Sequence, residues 1–283
     1  MKEISMDFFR DEVRNGFFIP TAVKQAWAAQ LQVLDVIETI CRKHDITYFA
    51  DWGTILGTVR HGGYVPWDDD MDICMKREDY TRFKEAAKTE LPKDFRIHDY
   101  EHQEDHWLFL SRVANSVHIN FEPEHMKQFH NFPYIAGIDI FVLDYLYKDE
   151  QQEKQRCEEV KHIIAVADSI IAGEIAQPVK EANLIQLEEK YHKTFNRKLD
   201  NRHMGIELYR LAEEQMARVP KEESDRMAQI FPWGLLGNRG QDREYYEKFV
   251  RLPFENTTMP VPADYHRILS GKYHDYFKIH KVW

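Results

Sequence analysis

Residues 65–74 read VPWDDDMDIC and hold four aspartates within five positions, Asp68, Asp69, Asp70 and Asp72. In an extended chain alternate side chains point to the same side, so we expect Asp68, Asp70 and Asp72 to share one face. Asp69 would then point away. Carboxylates this close repel one another unless a cation neutralises them, and hard oxygen ligands suit Mg²⁺, Mn²⁺ or Ca²⁺. The segment therefore predicts a metal site with Asp68, Asp70 and Asp72 as ligands.

Two other interpretations of this acidic segment compete with the metal site. A solvated acidic turn is the ordinary meaning of such a run, but the apolar neighbours Trp67 and Ile73 tie it to buried structure. A calcium loop of the EF-hand type has ligands at positions one, three and five, which Asp68, Asp70 and Asp72 match. Its sixth position is a glycine that allows a sharp turn, and this chain has Ile73 there. The spacing therefore favours a different kind of metal site.

A nucleotide-handling site is indicated by residues on either side of the acidic segment. Gly53 and Thr54 precede a short predicted helix, and backbone N–H groups at a helix N-terminus bind phosphate, which a glycine allows to approach closely. Gly-Thr followed by D-x-D at the start of a strand is the arrangement of nucleotidyltransferase-type folds. Asp139, in the apolar segment GIDIF, is the candidate third carboxylate, as ligand of a second metal or as the base. Its alternative roles are partner of a buried arginine or cap of a strand end.

Further candidate substrate contacts lie close to these residues in the sequence. Arg60, at the end of the short helix, is expected to bind a diphosphate through two hydrogen bonds, unless it is a surface helix arginine. Trp52, Tyr64 and Trp67 are candidates for an aromatic cage around a quaternary ammonium group, although each also suits core packing. His102 and His106 are four residues apart, as zinc ligands on a helix are, but a solvated loop is expected there.

Periodicity predicts the elements that must position these side chains. Apolar residues recur at intervals of three and four over 21–44, including Trp27 and Leu31, which predicts an amphipathic helix. Residues 46–52 are β-branched or aromatic and predict a strand that Gly53 ends. The later patterns predict a short helix from about residue 54, an alternating strand at MDICM, a helix over REDYTRFKEAAKTEL that stops at Pro92, strand-like runs at FRIHDY, WLFLSRVA and VHINFEP, and a strand within IAGIDIFVLDYLY.

The fold class follows from the order of these elements. Between Glu150 and about Met227 the composition shifts to helix-forming residues with helical spacing, which predicts about three helices. We therefore predict an α+β fold with a nucleotidyltransferase-like mixed-sheet core over 21–147 and an appended helical region over 148–230. Residues 231–283 are expected to pack back on the core, so that 1–283 form a single catalytic domain.

Composition and charge narrow the classes of function. The net charge of −10 over 283 residues argues against nucleic acid as a partner. Cys41, Cys74 and Cys157 are dispersed and form no CxxC motif, which favours a reducing cytoplasm over a disulfide framework. The N-terminus lacks the pattern of a signal peptide, and no apolar run approaches the roughly 20 residues that span a bilayer. A soluble, cytoplasmic protein is expected.

Three blocks of sequence resemble the LicD/fukutin family of phosphotransferases. The first and most specific is DWGTILGTVRHGGYVPWDDDMDICMKREDYTRF, the second is GIDIFVLD, and the closing block is LPFENTTMPVPADYHRILSGKYHDY. Thr54 replaces the serine of many members but keeps the hydroxyl, and Tyr273-His274 replaces a frequent Tyr-Gly pair. Glu255, in the closing block, matches a residue of the family and could equally be a structural carboxylate.

The resemblance implies a nucleotidyltransferase-like fold and a metal-dependent transfer, with Mg²⁺ or Mn²⁺, of a phospho-alcohol from a CDP-alcohol donor to a sugar hydroxyl. In bacterial relatives the alcohol is often choline and the acceptor a surface glycan or its lipid-linked precursor; eukaryotic relatives transfer ribitol phosphate. Such an acceptor leaves open a peripheral contact with the inner face of a membrane. Two alternatives remain, a nucleotidyltransferase acting on a small molecule or protein and a non-catalytic metal- or glycan-binding member. The alcohol, the acceptor sugar and the oligomeric state stay open.

Overall fold

A computed structural model describes residues 3–102, 108–231, 234–237 and 240–279. The described chain divides into two compact units. The first unit contains the described residues of Met1–His98, Leu110–Leu143 and Gln241–Trp283, and the second contains those of Asp99–Phe109 and Asp144–Gly240.

Helices and strands alternate along the first unit, whereas helices dominate the second. The α-helices of the described residues are α1 (Thr21–Lys43), α2 (Trp52–His61), α3 (Arg77–Glu90), α4 (Pro123–Gln128), α5 (Glu150–Ile171), α6 (Gln177–Tyr191), α7 (Asn201–Met216) and α8 (Tyr265–Tyr273). The strands are β1 (Glu12–Arg14), β2 (Phe17–Ile19), β3 (Phe49–Ala50), β4 (Asp72–Lys76), β5 (Arg96–His98), β6 (Ser111–Ala114), β7 (Gly137–Tyr145), β8 (Arg226–Ala228), β9 (Gln241–Asp242), β10 (Phe249–Phe254) and β11 (Thr257–Pro262).

A mixed sheet forms the centre of the first unit, with its strands in the order β3-β4-β7-β6-β5. β4 and β7 are parallel, and the other neighbouring pairs are antiparallel. Strands β1 and β2 form one separate hairpin, and β10 and β11 form another. The mixed sheet and its helices confirm the predicted α+β class.

Helix α1 and strand β4 supply much of the core of the first unit. The apolar face predicted for α1 is buried, including Trp27 and Leu31. The strand predicted at MDICM forms as β4, and all five of its residues are buried. Its two ends, Asp72 and Lys76, are buried charged residues, so the strand is covered on both faces although it is not apolar throughout.

The run VHINFEP was predicted as a strand, and this prediction is wrong. Residues 117–122 are irregular and lead into α4, and the apolar side chains of Val117, Ile119 and Phe121 are exposed. Alternating apolar residues form a strand only where a neighbouring strand offers a ladder of partners. In the run FRIHDY and the described part of WLFLSRVA, strands do form, as β5 and β6.

Three helices of the second unit, α5, α6 and α7, confirm the predicted helical region. Gly205 lets α7 approach α5 closely, since a Cβ at this position would lie 2.3 Å from Cγ1 of Ile171. Arg156 is fully buried and donates to the backbone carbonyls of Tyr145 and Met216. Among the described residues, no helix is both long and apolar enough to cross a bilayer.

The predicted loop around the two spaced histidines falls partly in the second unit. The ring of His102 lies in a turn and its Nδ1 is 2.6 Å from Oδ1 of Asp99. His106 lies outside the described residues.

Candidate active site

Asp72 is the first residue of β4, and its backbone is held from both sides. Its N–H donates to Oγ1 of Thr54 at 2.8 Å, and its carbonyl accepts from the N–H of Asp51 at 3.0 Å. Thr54 is buried near the start of α2. The Thr54 hydroxyl therefore joins the start of α2 to the start of β4, and the predicted contact of the Thr54 N–H with phosphate stays a prediction.

Asp139 lies beside Asp72 on the neighbouring strand. The parallel register of β4 and β7 pairs the Cα atoms of Asp72 and Asp139, and the antiparallel register of β7 and β6 pairs Asp139 with Arg112. Directly opposed residues on adjacent strands project to the same face of a sheet. The structure thus brings together the two carboxylates that the sequence placed far apart, and it adds Arg112, which sequence reasoning missed.

The carboxylate of Asp72 is buried, with 9% of the residue exposed. Burial raises its pKa to about 8, with further contributions from the charges of Asp70, Asp139, Asp51 and Asp68. None of the ion pairs that the described residues form involves Asp72. A cation at this position would relieve both the repulsion and the desolvation.

The acidic residues before β4 form a loop, which corrects the alternation argument. Side chains of α1 hold the loop backbone, since Trp27 Nε1 donates to the carbonyl of Asp68 at 3.1 Å and Gln30 Nε2 donates to that of Asp69 at 2.7 Å. Because residues 68–71 are not in a strand, alternate positions need not share a face. Carboxylate oxygens of Asp68, Asp69 and Asp70 all lie within 4.8 Å of one another. Asp69, which alternation set apart, therefore belongs to the cluster.

Gly53 allows this acidic loop to approach α2. A Cβ at Gly53 would lie 2.1 Å from Oδ2 of Asp68, a distance that forces the carboxylate to move. Burial, together with the hydrogen bond and charge of Asp70, raises the pKa of Asp68 to about 7. Gly53 therefore leaves room for a carboxylate at the N-terminus of α2, and its predicted contact with phosphate stays a prediction.

Helix α8 contributes a lysine that sequence reasoning also missed. Nζ of Lys272 forms an ion pair with the buried carboxylate of Asp51 and lies 4.2 Å from the centroid of the Trp52 ring. Asp51 caps α2 by accepting from the N–H of Trp52 at 2.8 Å. An aspartate before Trp-Gly-Thr carries an N-cap signal that could have been found. Lys272 carries no local signal, because its partner is distant in sequence.

Arg60 faces the segment that follows α8. Its Nη1 donates to the carbonyl of Tyr276 at 2.9 Å and its Nε donates to Nε2 of His61 at 2.9 Å. The guanidinium lies 5.7 Å from the centroid of the Trp67 ring, and burial lowers the pKa of Arg60. Two of its three nitrogen atoms thus donate to protein groups.

Of the three aromatic residues predicted to form a cage, Tyr64 lies in the core instead. Its ring stacks on Trp27 at 4.6 Å between centroids, and its hydroxyl donates to the carbonyl of Trp27 at 3.3 Å. The flat apolar ring gains more from burial against α1 than from a place at the surface. Trp67 is 42% exposed and adjoins the acidic loop, and Trp52 presents its ring to Lys272.

Glu255 of the closing block serves structure. It accepts from Nη1 of Arg14 at 2.7 Å and from the N–H of Tyr64 at 3.1 Å, and its own N–H donates to the carbonyl of Gly62 at 2.8 Å. A Cβ at Gly63 would lie 2.0 Å from Oε1 of Glu255. The Gly62-Gly63 turn is therefore shaped around this carboxylate.

A divalent cation fits the donor set of this site. The clustered oxygens of Asp68, Asp69 and Asp70 adjoin Asp72, whose pKa of about 8 reflects burial among carboxylates. Asp139 accepts two hydrogen bonds from Arg112, at 2.6 and 2.7 Å, so a cationic group already sits at its carboxylate. All of these ligands are hard oxygens of the kind Mg²⁺ prefers.

The chain is similar in sequence to several known proteins. Residues 45–165 match the family model described as LicD/FKTN/FKRP, nucleotidyltransferase domain. The lipopolysaccharide cholinephosphotransferase LicD of Haemophilus influenzae is 25% identical over 264 residues, which cover 88% of this chain and 89% of that protein. An uncharacterized protein of Rickettsia typhi is 39% identical over 54 residues, 19% of this chain and 18% of that protein. One of Rickettsia prowazekii is 42% identical over 48 residues, 17% of this chain and 18% of that protein.

Proposed function

Because the chain belongs to the LicD family and is a phosphotransferase, we propose that it transfers phosphocholine from CDP-choline to a sugar hydroxyl, with Mg²⁺ as the metal. The acceptor would be a surface glycan or its lipid-linked precursor, met in the cytoplasm at the inner face of a membrane. The observation that carries the proposal is the pairing of Asp72 with Asp139 on adjacent parallel strands, beside the acidic loop and the start of α2.

In the proposed reaction the acceptor hydroxyl oxygen attacks the phosphorus atom that carries choline. A bond from this oxygen to phosphorus forms, the bond from phosphorus to the bridging oxygen breaks, and CMP leaves with the electron pair. Mg²⁺, when bound, would supply charge stabilisation at the diphosphate and at the leaving oxygen. Asp68, Asp69, Asp70 and Asp72 would hold it. Asp139 would receive the proton of the acceptor hydroxyl or hold a second ion.

The choline group needs a partner that favours a quaternary ammonium. Trp67 supports this part of the proposal because the residue is 42% exposed and directly precedes Asp68. A cation over the face of a tryptophan gains about 0.5–2 kcal/mol. A cation lies near both rings, Lys272 at 4.2 Å from the centroid of Trp52 and Arg60 at 5.7 Å from that of Trp67. We assign choline to Trp67 because it is the more exposed of the two.

The test is incubation of the protein with a panel of CDP-alcohols and Mg²⁺, with and without a glycan acceptor, while CMP release and product mass are measured. CMP release that depends on acceptor and metal, with the mass of phosphocholine added to the acceptor, is expected. Addition of a nucleotide with release of pyrophosphate would identify a nucleotidyltransferase instead. Metal binding without turnover of any donor would favour the non-catalytic alternative.

A further inference from the structure

Three charged residues form a row across the central sheet. Asp72 on β4, Asp139 on β7 and Arg112 on β6 are consecutive neighbours in the strand registers. Adjacent strands are about 4.8 Å apart, so the row continues from the buried carboxylate to a guanidinium two strands away. The row thus begins with a buried carboxylate and ends with a guanidinium.

The local sequence makes room for this arginine. Gly137, also on β7, lies beneath the Arg112 side chain, and a Cβ there would be 2.8 Å from Cδ of Arg112. Arg112 donates from Nε and Nη2 to the two carboxylate oxygens of Asp139. The side chain is nevertheless 50% exposed. In the Gly-Ile-Asp sequence, Gly137 therefore leaves room for the Arg112 side chain, and Asp139, two residues later, accepts its hydrogen bonds.

The other cations of the site are held by protein groups. Arg60 donates to a backbone carbonyl and to a neighbouring ring, and Lys272 is paired with the buried Asp51. Arg112 differs, because its partner Asp139 is itself a candidate metal ligand. Its charge also interacts with those of Asp70 and Asp72.

We propose that Arg112 binds the phosphoryl group of the donor. In the donor-free protein it instead pairs with the carboxylate of Asp139, at the position that a metal ion would take. This inference rests on the proposed function. A guanidinium matches two oxygens of a phosphate in the same fork geometry with which it matches a carboxylate. A metal ion and Arg112 therefore compete for Asp139, and Arg112 turns to the donor when the metal is bound. The role expected of Arg60 from the sequence passes to Arg112.

The test compares Arg112→Met and Arg112→Lys with the wild-type protein in two binding titrations. Mg²⁺ alone is titrated into donor-free protein, and CDP-choline is then titrated at saturating Mg²⁺. Arg112→Met should bind Mg²⁺ about 3- to 10-fold more tightly, because a competing charge is gone, and CDP-choline about 10- to 100-fold more weakly. Arg112→Lys should lie between, because it keeps the charge but loses the fork.

Arg82→Met is the matched control. Arg82 is 51% exposed and forms an ion pair with Asp79 in the same unit, on α3. It should leave both affinities unchanged.

Opposite changes in the two affinities separate a phosphate-binding role from a structural one, since a damaged site would bind both ligands more weakly. Unchanged CDP-choline affinity in Arg112→Met, with binding by the wild type intact, would overturn the inference alone. Weaker binding of Mg²⁺ by that variant would also overturn it. Failure of the wild type to bind CDP-choline would refute the proposed function and this inference with it.

Discussion

Replacing Asp72 with Asn should stabilise the metal-free protein while abolishing transfer. The carboxylate is buried among Asp70, Asp139 and Asp51, and its pKa is raised from 3.8 to about 8. A tenfold change in proton affinity is worth about 1.4 kcal/mol. The raised pKa of Asp72 therefore lowers the free energy of unfolding at pH 7 by at most about 4 kcal/mol. Part of this loss comes from repulsion that involves the neighbouring carboxylates and is not removed with Asp72 alone. We therefore expect Asp72→Asn to raise the free energy of unfolding by about 2 kcal/mol.

The sign of the pH dependence follows from the raised pKa. The folded protein holds a proton on Asp72 that the unfolded chain releases above about pH 4, so the free energy of unfolding falls as pH rises from about 4 to 8. The advantage of Asp72→Asn should therefore be larger at pH 7 than at pH 5. The two backbone hydrogen bonds of residue 72 do not involve the side chain and remain.

Thermal unfolding in EDTA measures this effect. A gain of about 2 kcal/mol corresponds to a rise in Tm of about 4–8 °C for a unit of this size. Mg²⁺ should raise the Tm of the wild type and have a smaller effect on the variant. Asp94→Asn, which alters an exposed aspartate, is the control. A variant that melts at or below the wild-type temperature at pH 7 would show that the native carboxylate is not destabilising and does not need a cation to neutralise it.

Two further substitutions probe the start of α2. Gly53→Ala should lower the rate of CMP release at least tenfold with a loss of only about 1 kcal/mol in stability, because its Cβ displaces the carboxylate of Asp68; normal activity would mean that the loop position is not critical. Lys272→Met should cost about 3 kcal/mol by urea unfolding, because it removes the ammonium partner of the buried Asp51. Adding Asp51→Asn should restore part of that loss, and a strictly additive double variant would contradict the pairing.

Much of the fold was predictable because it depends on local patterns. Apolar periodicity located α1, and helical composition located α5 to α7. The acidic segment and Asp139 were predicted as one site, and Asp72 and Asp139 do pair near the N-terminal ends of the central strands β4 and β7. The prediction of a strand at 117–122 failed because alternation alone does not supply a partner strand.

The sequence by itself determined the chemistry available at the site. The clustered aspartates require a cation to neutralise them, and Gly53-Thr54 at a helix start indicates N–H groups that can bind phosphate. Only the tertiary structure decided which side chains meet. Trp27 and Gln30 of α1 bend the acidic loop so that Asp69 joins the cluster, and the register of β6 on β7 places Arg112 on Asp139. These contacts join residues far apart in the chain, and their geometry comes from packing and strand register rather than from local periodicity.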